Sequence, residues 1–326
     1  MQWGIIGPGK IAVDFSNDLR LIEGEHSIVS ILGKSESKAK AFASKQENCT
    51  VYTTIDDFLS GKKPDAVYIA TPHPYHFESA IACLNSTIPV LCEKPLCMNE
   101  KQCQQLIVAA KSNNTFLMEG MWIRFLPGIK KAINLVNDGV IGIVDRVNAS
   151  MYYKAPYDSG SRYFNKSLGG GSLLDLGIYP AFLAKLFLGN PETIKADAVL
   201  SPEGVDESCS VLMQYSNGKS AVIKSSLVSD STDPATINGS EGTITILHPW
   251  FEKSPGVRVT LRSGKVINYP FQWGGHGLRF EIEETIECIR NGKIESELMP
   301  HSFSLELIKI IDEVRRQIGL RYEMFE

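Results

Sequence analysis

The chain has 326 residues, which at roughly 100–200 residues per domain predicts two domains. Hydrophobic residues make up 43% and charged residues 21%, so a disordered chain is excluded, and 33 basic against 37 acidic side chains leave a net charge of −4 that does not suit nucleic acid. No apolar run reaches the roughly 18–20 residues of a membrane span, the stretch 179–188 being interrupted by Lys185. The start Met1-Gln2-Trp3-Gly4 lacks the basic and long apolar segments of a signal peptide, so a cytoplasmic protein is expected.

The first third alternates short apolar runs with helical patterns, which predicts a parallel sheet covered by helices. Strands are expected at 2–6, 27–32, 51–52, 66–70, 90–92 and 116–119. Helices are expected at 10–21, 37–45, 55–59, 77–85 and 100–112, with Thr54 and Asn99 as caps of the last-but-two and last of these. Past residue 121 the pattern changes to successive strands at 144–153, 193–200, 208–215, 220–226, 243–248, 257–261 and 266–269. Asn217-Gly218 and Arg262-Ser263-Gly264 are hairpin turn signals between neighbours. Helices are expected at 171–188, 280–291 and 304–319. The fold class is therefore a Rossmann-like α/β domain with a doubly wound parallel sheet (1–121), followed by an α+β domain with a large, mostly antiparallel open sheet (122–326).

Seven cysteines without a Cys-x-x-Cys pair, and six histidines without a His-x-x-x-His pair, point to reduced thiols and to no metal site. The informative motif is Gly7-Pro8-Gly9-Lys10-Ile11-Ala12, a G-x-G-x-x-A sequence between the first strand and first helix. One glycine permits the turn, the next lets backbone approach a pyrophosphate, and the small Ala12 allows the helix to pack closely on the sheet. The helix N-terminus faces the phosphates. At the end of the second strand an NAD site would normally carry a carboxylate. Here the residues are Lys34, Ser35 and Lys38, read as two lysines on one helix face with a serine. That set suits a 2′-phosphate, so NADP is expected over NAD; ordinary surface lysines at a solvated helix start are the alternative.

Ligands of doubly wound sheets bind at the carboxyl ends of the strands. Two such ends carry polar residues here: Thr71-Pro72-His73-Pro74-Tyr75-His76 and Glu93-Lys94-Pro95. Lys94 at that edge is placed to hydrogen-bond a carbinol oxygen and stabilise its negative charge as a hydride leaves. His73 and His76 lie near the nicotinamide end, as proton shuttles or as structural loop residues. Trp122, Arg124 and Phe125 follow the last strand of the first domain and are candidate cleft residues, with an interdomain core role as the alternative. Trp250, Trp273 and His276 are weaker candidates from the second domain.

These motifs, with Leu91-Cys92-Glu93-Lys94-Pro95-Leu96 and the segment from Gly169-Gly170-Gly171-Ser172 through Asp175 to Tyr179-Pro180, resemble the Gfo/Idh/MocA oxidoreductases. The segment from Met118-Glu119-Gly120 through Trp122 and Arg124 to Pro127 resembles the family branch of dimeric dihydrodiol dehydrogenases and NADP-dependent D-xylose dehydrogenases. The resemblance implies oxidation of a secondary alcohol on a sugar, polyol or cyclic trans-diol, or the reverse reduction. It also implies a homo-oligomer, dimer or tetramer, formed through the C-terminal sheet. By motif, Lys94 is the catalytic lysine, and Asp175 with Tyr179 is the second catalytic element. An i, i+4 spacing would put Asp175 and Tyr179 on one helix face. There Tyr179 would act as general base and Asp175 would orient hydroxyls or hold the lysine; a helix cap with a buried tyrosine is the alternative. Two departures from that branch stand out: lysines at 34 and 38 in place of arginines, and Gly120 in place of alanine. A cofactor-binding sensor without catalysis is the rival function.

Overall fold

Six short strands, the central ones buried along nearly their whole length, pair in parallel in the computed structural model, which describes residues 1–325. They are β1 (Gln2–Ile6), β2 (Ser27–Leu32), β3 (Thr50–Tyr52), β4 (Ala66–Ile69), β5 (Val90–Glu93) and β6 (Leu117–Gly120), in the order β3-β2-β1-β4-β5-β6. Parallel strands need crossovers, supplied here by helices α1 (Lys10–Leu19), α2 (Glu36–Ala43), α3 (Ile55–Ser60), α4 (His76–Asn85) and α5 (Glu100–Ser112). Thr54 and Asn99 cap α3 and α5 as expected, accepting from Asp57 N at 3.2 Å and Gln102 N at 2.9 Å. Strand order reverses between β1 and β4, so the turns after those strands flank the crevice where such sheets take ligands.

The first compact unit is not one continuous segment. It comprises Met1–Trp122 together with Gly274–Leu305, which corrects the assignment of all of 122–326 to the second domain. The physical reason lies in Asp18, fully buried on α1. Its Oδ1 accepts from His276 N (2.6 Å), and its Oδ2 from Gly277 N (2.7 Å) and Arg279 N (3.1 Å), the amides that open α8 (Arg279–Arg290). A carboxylate on orphan amides at a helix N-terminus is favourable, and here the two partners lie more than 250 residues apart. Leu117 N donates to Ile294 O at 3.0 Å, and the His301 ring meets Leu117 O at 2.9 Å, extending the attachment to the start of α9 (His301–Ile318).

The second unit, Ile123–Trp273 with Glu306–Glu326, is built on eight strands: β7 (Val144–Tyr152), β8 (Thr193–Leu200), β9 (Asp206–Gln214), β10 (Ser220–Ser226), β11 (Ala235–Gly239), β12 (Gly242–Ile246), β13 (Gly256–Leu261) and β14 (Val266–Pro270). Their order is β14-β13-β12-β11-β7-β10-β9-β8, and only β7 and β10 run parallel. Both hairpin signals lie where antiparallel neighbours turn, between β9 and β10 and between β13 and β14. Helix α6 (Pro127–Asn137) and β11 add to the elements expected from the sequence. Pro127 at the helix start and buried Ile129, Ala132 and Leu135 are the signals for the first. The run Lys166–Leu188, ending in α7 (Ile178–Leu188), is long and apolar enough by composition to cross a membrane. However, 83% of its most apolar window is buried inside the protein, and Lys185 within it is paired with Glu306 and Asn190. It is the core helix of this unit.

Candidate functional site

The glycine loop turns where a side chain has no room. Gly7 has φ +93°, and a Cβ there would meet Thr71 N at 2.7 Å and the Ala70 carbonyl at 2.8 Å, so the loop lies directly on the end of β4. A Cβ at Gly9 would meet nothing within 4 Å, which leaves open space over the first turn of α1. Ala12 is fully buried against the sheet, while Lys10 and Ile11 are exposed. Pro8 abuts Gly33 at the end of β2.

Beyond that strand end, Lys34, Ser35 and Lys38 are exposed. The expectation of two lysines on one helix face is corrected. Ser35 is the N-cap, its Oγ accepting from Lys38 N, so α2 begins at Glu36 and Lys34 stands before the helix. Glu36, which opens α2, is bound to Lys40 at 2.6 Å, and neither Lys34 nor Lys38 pairs with a carboxylate among the described residues.

The turn carrying Lys94 is held from three sides. Tyr68 donates a short hydrogen bond to Glu93 Oε1, and the Lys94–Pro95 peptide is cis. Leu96 N donates to Glu119 Oε1 at 2.9 Å. The His76 ring lies 2.8 Å from Pro95 O through Nδ1 and 2.8 Å from Thr71 O through Nε2, tying the two strand-end loops together. Both ring nitrogens thus face backbone carbonyls, to one of which a neutral ring donates, and the ring is fully buried, which withdraws His76 from direct cofactor contact and makes it a structural loop residue. Burial pushes its pKa down. His73 is buried and Pro72 exposed.

Burial also raises the Glu119 carboxyl, opposed by hydrogen bonds from Ser304 and Leu96 N and by the charge of Lys94. Gly120 follows Glu119 where the chains are close. A Cβ there would sit 3.1 Å from Cys92 O, tighter than ordinary contact, which gives the absence of alanine a steric reason. Glu93 and Lys94 themselves are 9% and 8% exposed, so little of the lysine meets solvent.

In the second unit Asp175 and Tyr179 do not share a regular α-helix. Leu173–Gly177 is a π-helical turn and Tyr179 lies in the following α7, so the simple i, i+4 face is corrected to a widened turn. Such turns cost regular hydrogen bonding and recur at functional sites. Both side chains are buried. Asp175 Oδ1 accepts from Arg162 at 2.9 Å, and that guanidinium lies 4.3 Å from the centre of the Tyr163 ring. Partial burial disfavours the charged Arg162, but Asp175 outweighs it and raises the Arg162 pKa. Arg162 escapes the sequence pattern because it lies thirteen positions before its partner, across a largely irregular stretch of chain.

Phe125 is fully buried in the core, which withdraws it from a substrate surface, while Trp122 and Arg124 are half-buried. Trp250 is likewise a core residue, its indole donating to Ser150 O at 2.9 Å, and His276 belongs to the first unit. Six of the seven cysteines are buried, and none forms a disulfide.

Comparison with known proteins decides the family. Residues 1–121 match the oxidoreductase family with an NAD-binding Rossmann fold, and residues 129–245 match the GFO/IDH/MocA C-terminal domain. The chain belongs to the Gfo/Idh/MocA oxidoreductase family. Within that family, trans-1,2-dihydrobenzene-1,2-diol dehydrogenase of Danio rerio is 35% identical over 99% of this chain and 98% of its own length. The scyllo-inositol 2-dehydrogenase (NADP(+)) of Bacillus subtilis (strain 168) is 33% identical over 99% of this chain and 98% of its own. The crystal structure of aldose-aldose oxidoreductase from Caulobacter crescentus has the same fold, with a TM-score of 0.87 at 22% identity, covering 98% of this chain and 97% of that one. The Gfo/Idh/MocA oxidoreductase described here has a first unit whose geometry fits a dinucleotide: the space over Gly9 is open, and the buried Thr71 Oγ1 beside Gly7 has no hydrogen-bond partner among the described residues.

Proposed function

We propose that the chain is an NADP-dependent dehydrogenase acting on a secondary alcohol of a sugar, polyol or cyclic trans-diol, or on the matching carbonyl in reverse. The observation that carries this reading is the Lys94 turn, a buried ammonium at the carboxyl edge of a Rossmann sheet, fixed by Tyr68, His76 and Glu119. Hydride acceptance or donation is the chemistry a bound nicotinamide supplies. The backbone of Gly7, Pro8 and Gly9 and the amides opening α1 at Lys10 and Ile11 would hold the pyrophosphate, with Thr71, Pro72 and His73 beside it. Lys34 and Lys38 would face the 2′-phosphate. Ser35 would act there by capping α2, since its hydroxyl is already engaged.

Lys94 would hydrogen-bond the reacting oxygen and stabilise its developing charge, and Tyr179 would take or return the proton. Asp175, anchored by Arg162, would orient substrate hydroxyls, and Trp122 and Arg124 would contact the substrate. The named activities of the Danio rerio and Bacillus subtilis relatives, on a cyclic diol and an inositol, support this substrate class, and the second supports NADP. We also propose a homo-oligomer formed through the outer face of the eight-stranded sheet, where Val199, Leu212 and Val222 are exposed. Titration of the purified chain with each cofactor, followed by reduced-nicotinamide absorbance over a panel of aldoses, inositols and trans-dihydrodiols, tests the proposal. Tighter NADP binding and turnover on members of the panel are expected. Equal affinity for both cofactors would remove the NADP assignment, and no turnover on any member would favour a sensor.

A further inference from the structure

The Gly169–Leu173 segment that leads into the π-turn is clamped from β9 by a side chain no motif singles out. Asp206, at the start of β9, is wholly sealed from solvent. Its Oδ2 accepts from Ser172 Oγ at 2.7 Å and from Leu173 N at 2.7 Å, the cap residue and first amide of the helical run that carries Asp175 and Tyr179. Ser172 Oγ also lies 2.8 Å from Ser225 Oγ on β10. Gly171 has φ +120°, and a Cβ there would fall on Asp206 Oδ1, so the chain is bare at the point where the carboxylate enters. That second oxygen has no hydrogen-bond partner among the described residues. An acceptor borrowed from another strand thus replaces the local cap that the helix lacks, since Ser172 makes no side-chain cap of its own.

We propose that Asp206 is a positioning residue, whose carboxylate sets the geometry in which the π-turn presents Asp175 and Tyr179. The inference rests on the roles proposed above for those two residues. Capping by a carboxylate is strongest when it is ionised, because helix amides favour an anion and charge-assisted hydrogen bonds are the stronger ones. Burial works the other way and pushes the Asp206 carboxyl up to about 7, against the hydrogen bonds from Ser172 and Leu173. Around it stand Cys209 on the same strand, whose thiol burial pushes up to about 12, and Tyr322, which donates to Gly170 O at 2.5 Å and underlies Arg315. Asp175 and Arg162 are the charged pair on the turn itself. Protonation weakens the hold on Leu173 N, so the turn loses its anchor as pH falls through neutrality.

The test is the ratio of wild-type to Asp206→Asn kcat, measured on the full chain at about pH 8 and about pH 6, alongside NADP affinity by fluorescence titration. The asparagine keeps the shape of the protonated acid. The ratio is expected to be about tenfold or more at the higher pH and to approach one at the lower, with NADP affinity within about twofold of wild type. A ratio of one at both pH values, or an equal loss at both with weakened NADP binding, would overturn the proposal. Should that variant not fold, Ser172→Ala keeps the carboxylate but removes one donor, and is expected to move the neutral inflection of kcat upward; an unmoved inflection overturns the inference. Lys94→Ala and Tyr179→Phe in the same assay separate the two ideas. Wild-type turnover in either of these would defeat the functional reading itself, whatever Asp206 does.

Discussion

The Lys94 turn in the first unit and the Asp175 turn in the second are anchored by the same device with different charged neighbours. In each, a buried carboxylate accepts a backbone N–H of the functional turn: Glu119 from Leu96, and Asp206 from Leu173. Burial raises both carboxyls. At Glu119 that is opposed by hydrogen bonds from Ser304 and Leu96 N and then by the charge of Lys94, with Glu93 adding to the rise, whereas Asp206 is opposed by hydrogen bonds alone. Hydrogen bonds thus oppose the effect of burial on both acids, and an adjacent ammonium adds to them only at Glu119.

The comparison is broken most severely at the glycines. Gly171→Ala would force a side chain at φ +120° onto Asp206, and a loss of about 2–4 kcal/mol is expected in a denaturant titration. Gly9→Ala meets open space, so its unfolding midpoint should stay at the wild-type value while NADP binding weakens about tenfold or more. Equal unfolding midpoints for the two variants would show that the second turn is not sterically closed.

Next in size is Glu119→Ala, which leaves Leu96 N buried without its acceptor. A loss of about 1–3 kcal/mol is expected, together with reduced kcat from a displaced Lys94. Unchanged kcat in a folded variant would detach Glu119 from the lysine.

These contrasts track how much of each region was legible in the sequence. The glycine loop, Glu93-Lys94 and the capped helices are contiguous in the chain, so residue types and spacing expose them. Asp18, Arg162 and Asp206 act on partners reached only through the fold, as when Asp18 draws the start of α8 into the first unit. Phe125 and His76 fail as ligand contacts for a related reason. Their positions beside a site were readable, but their complete burial is a tertiary property. The π-turn was also hidden, because a single-residue widening leaves the apolar pattern of 173–188 intact.

The smallest expected effect concerns Glu281, a third buried acid, whose two oxygens both lack partners among the described residues. Burial, then Glu93 and Asp18, raise its carboxyl well above the ordinary value of 4.5. The folded state therefore holds a proton that the unfolded state releases first, and stability falls as pH rises above about 4.5 until the folded group ionises. Glu281→Gln removes that slope. Its melting temperature relative to wild type should be higher at about pH 8 than at about pH 5. The same difference at both pH values would mean that Glu281 is not held protonated.

The central claim, that Lys94 stabilises charge on the reacting oxygen, is tested most directly by Lys94→Ala with NADP and the best substrate of the panel. The expected result is a fall in kcat of about 100-fold or more with NADP affinity within about twofold of wild type. Turnover close to wild type in that variant would contradict the account.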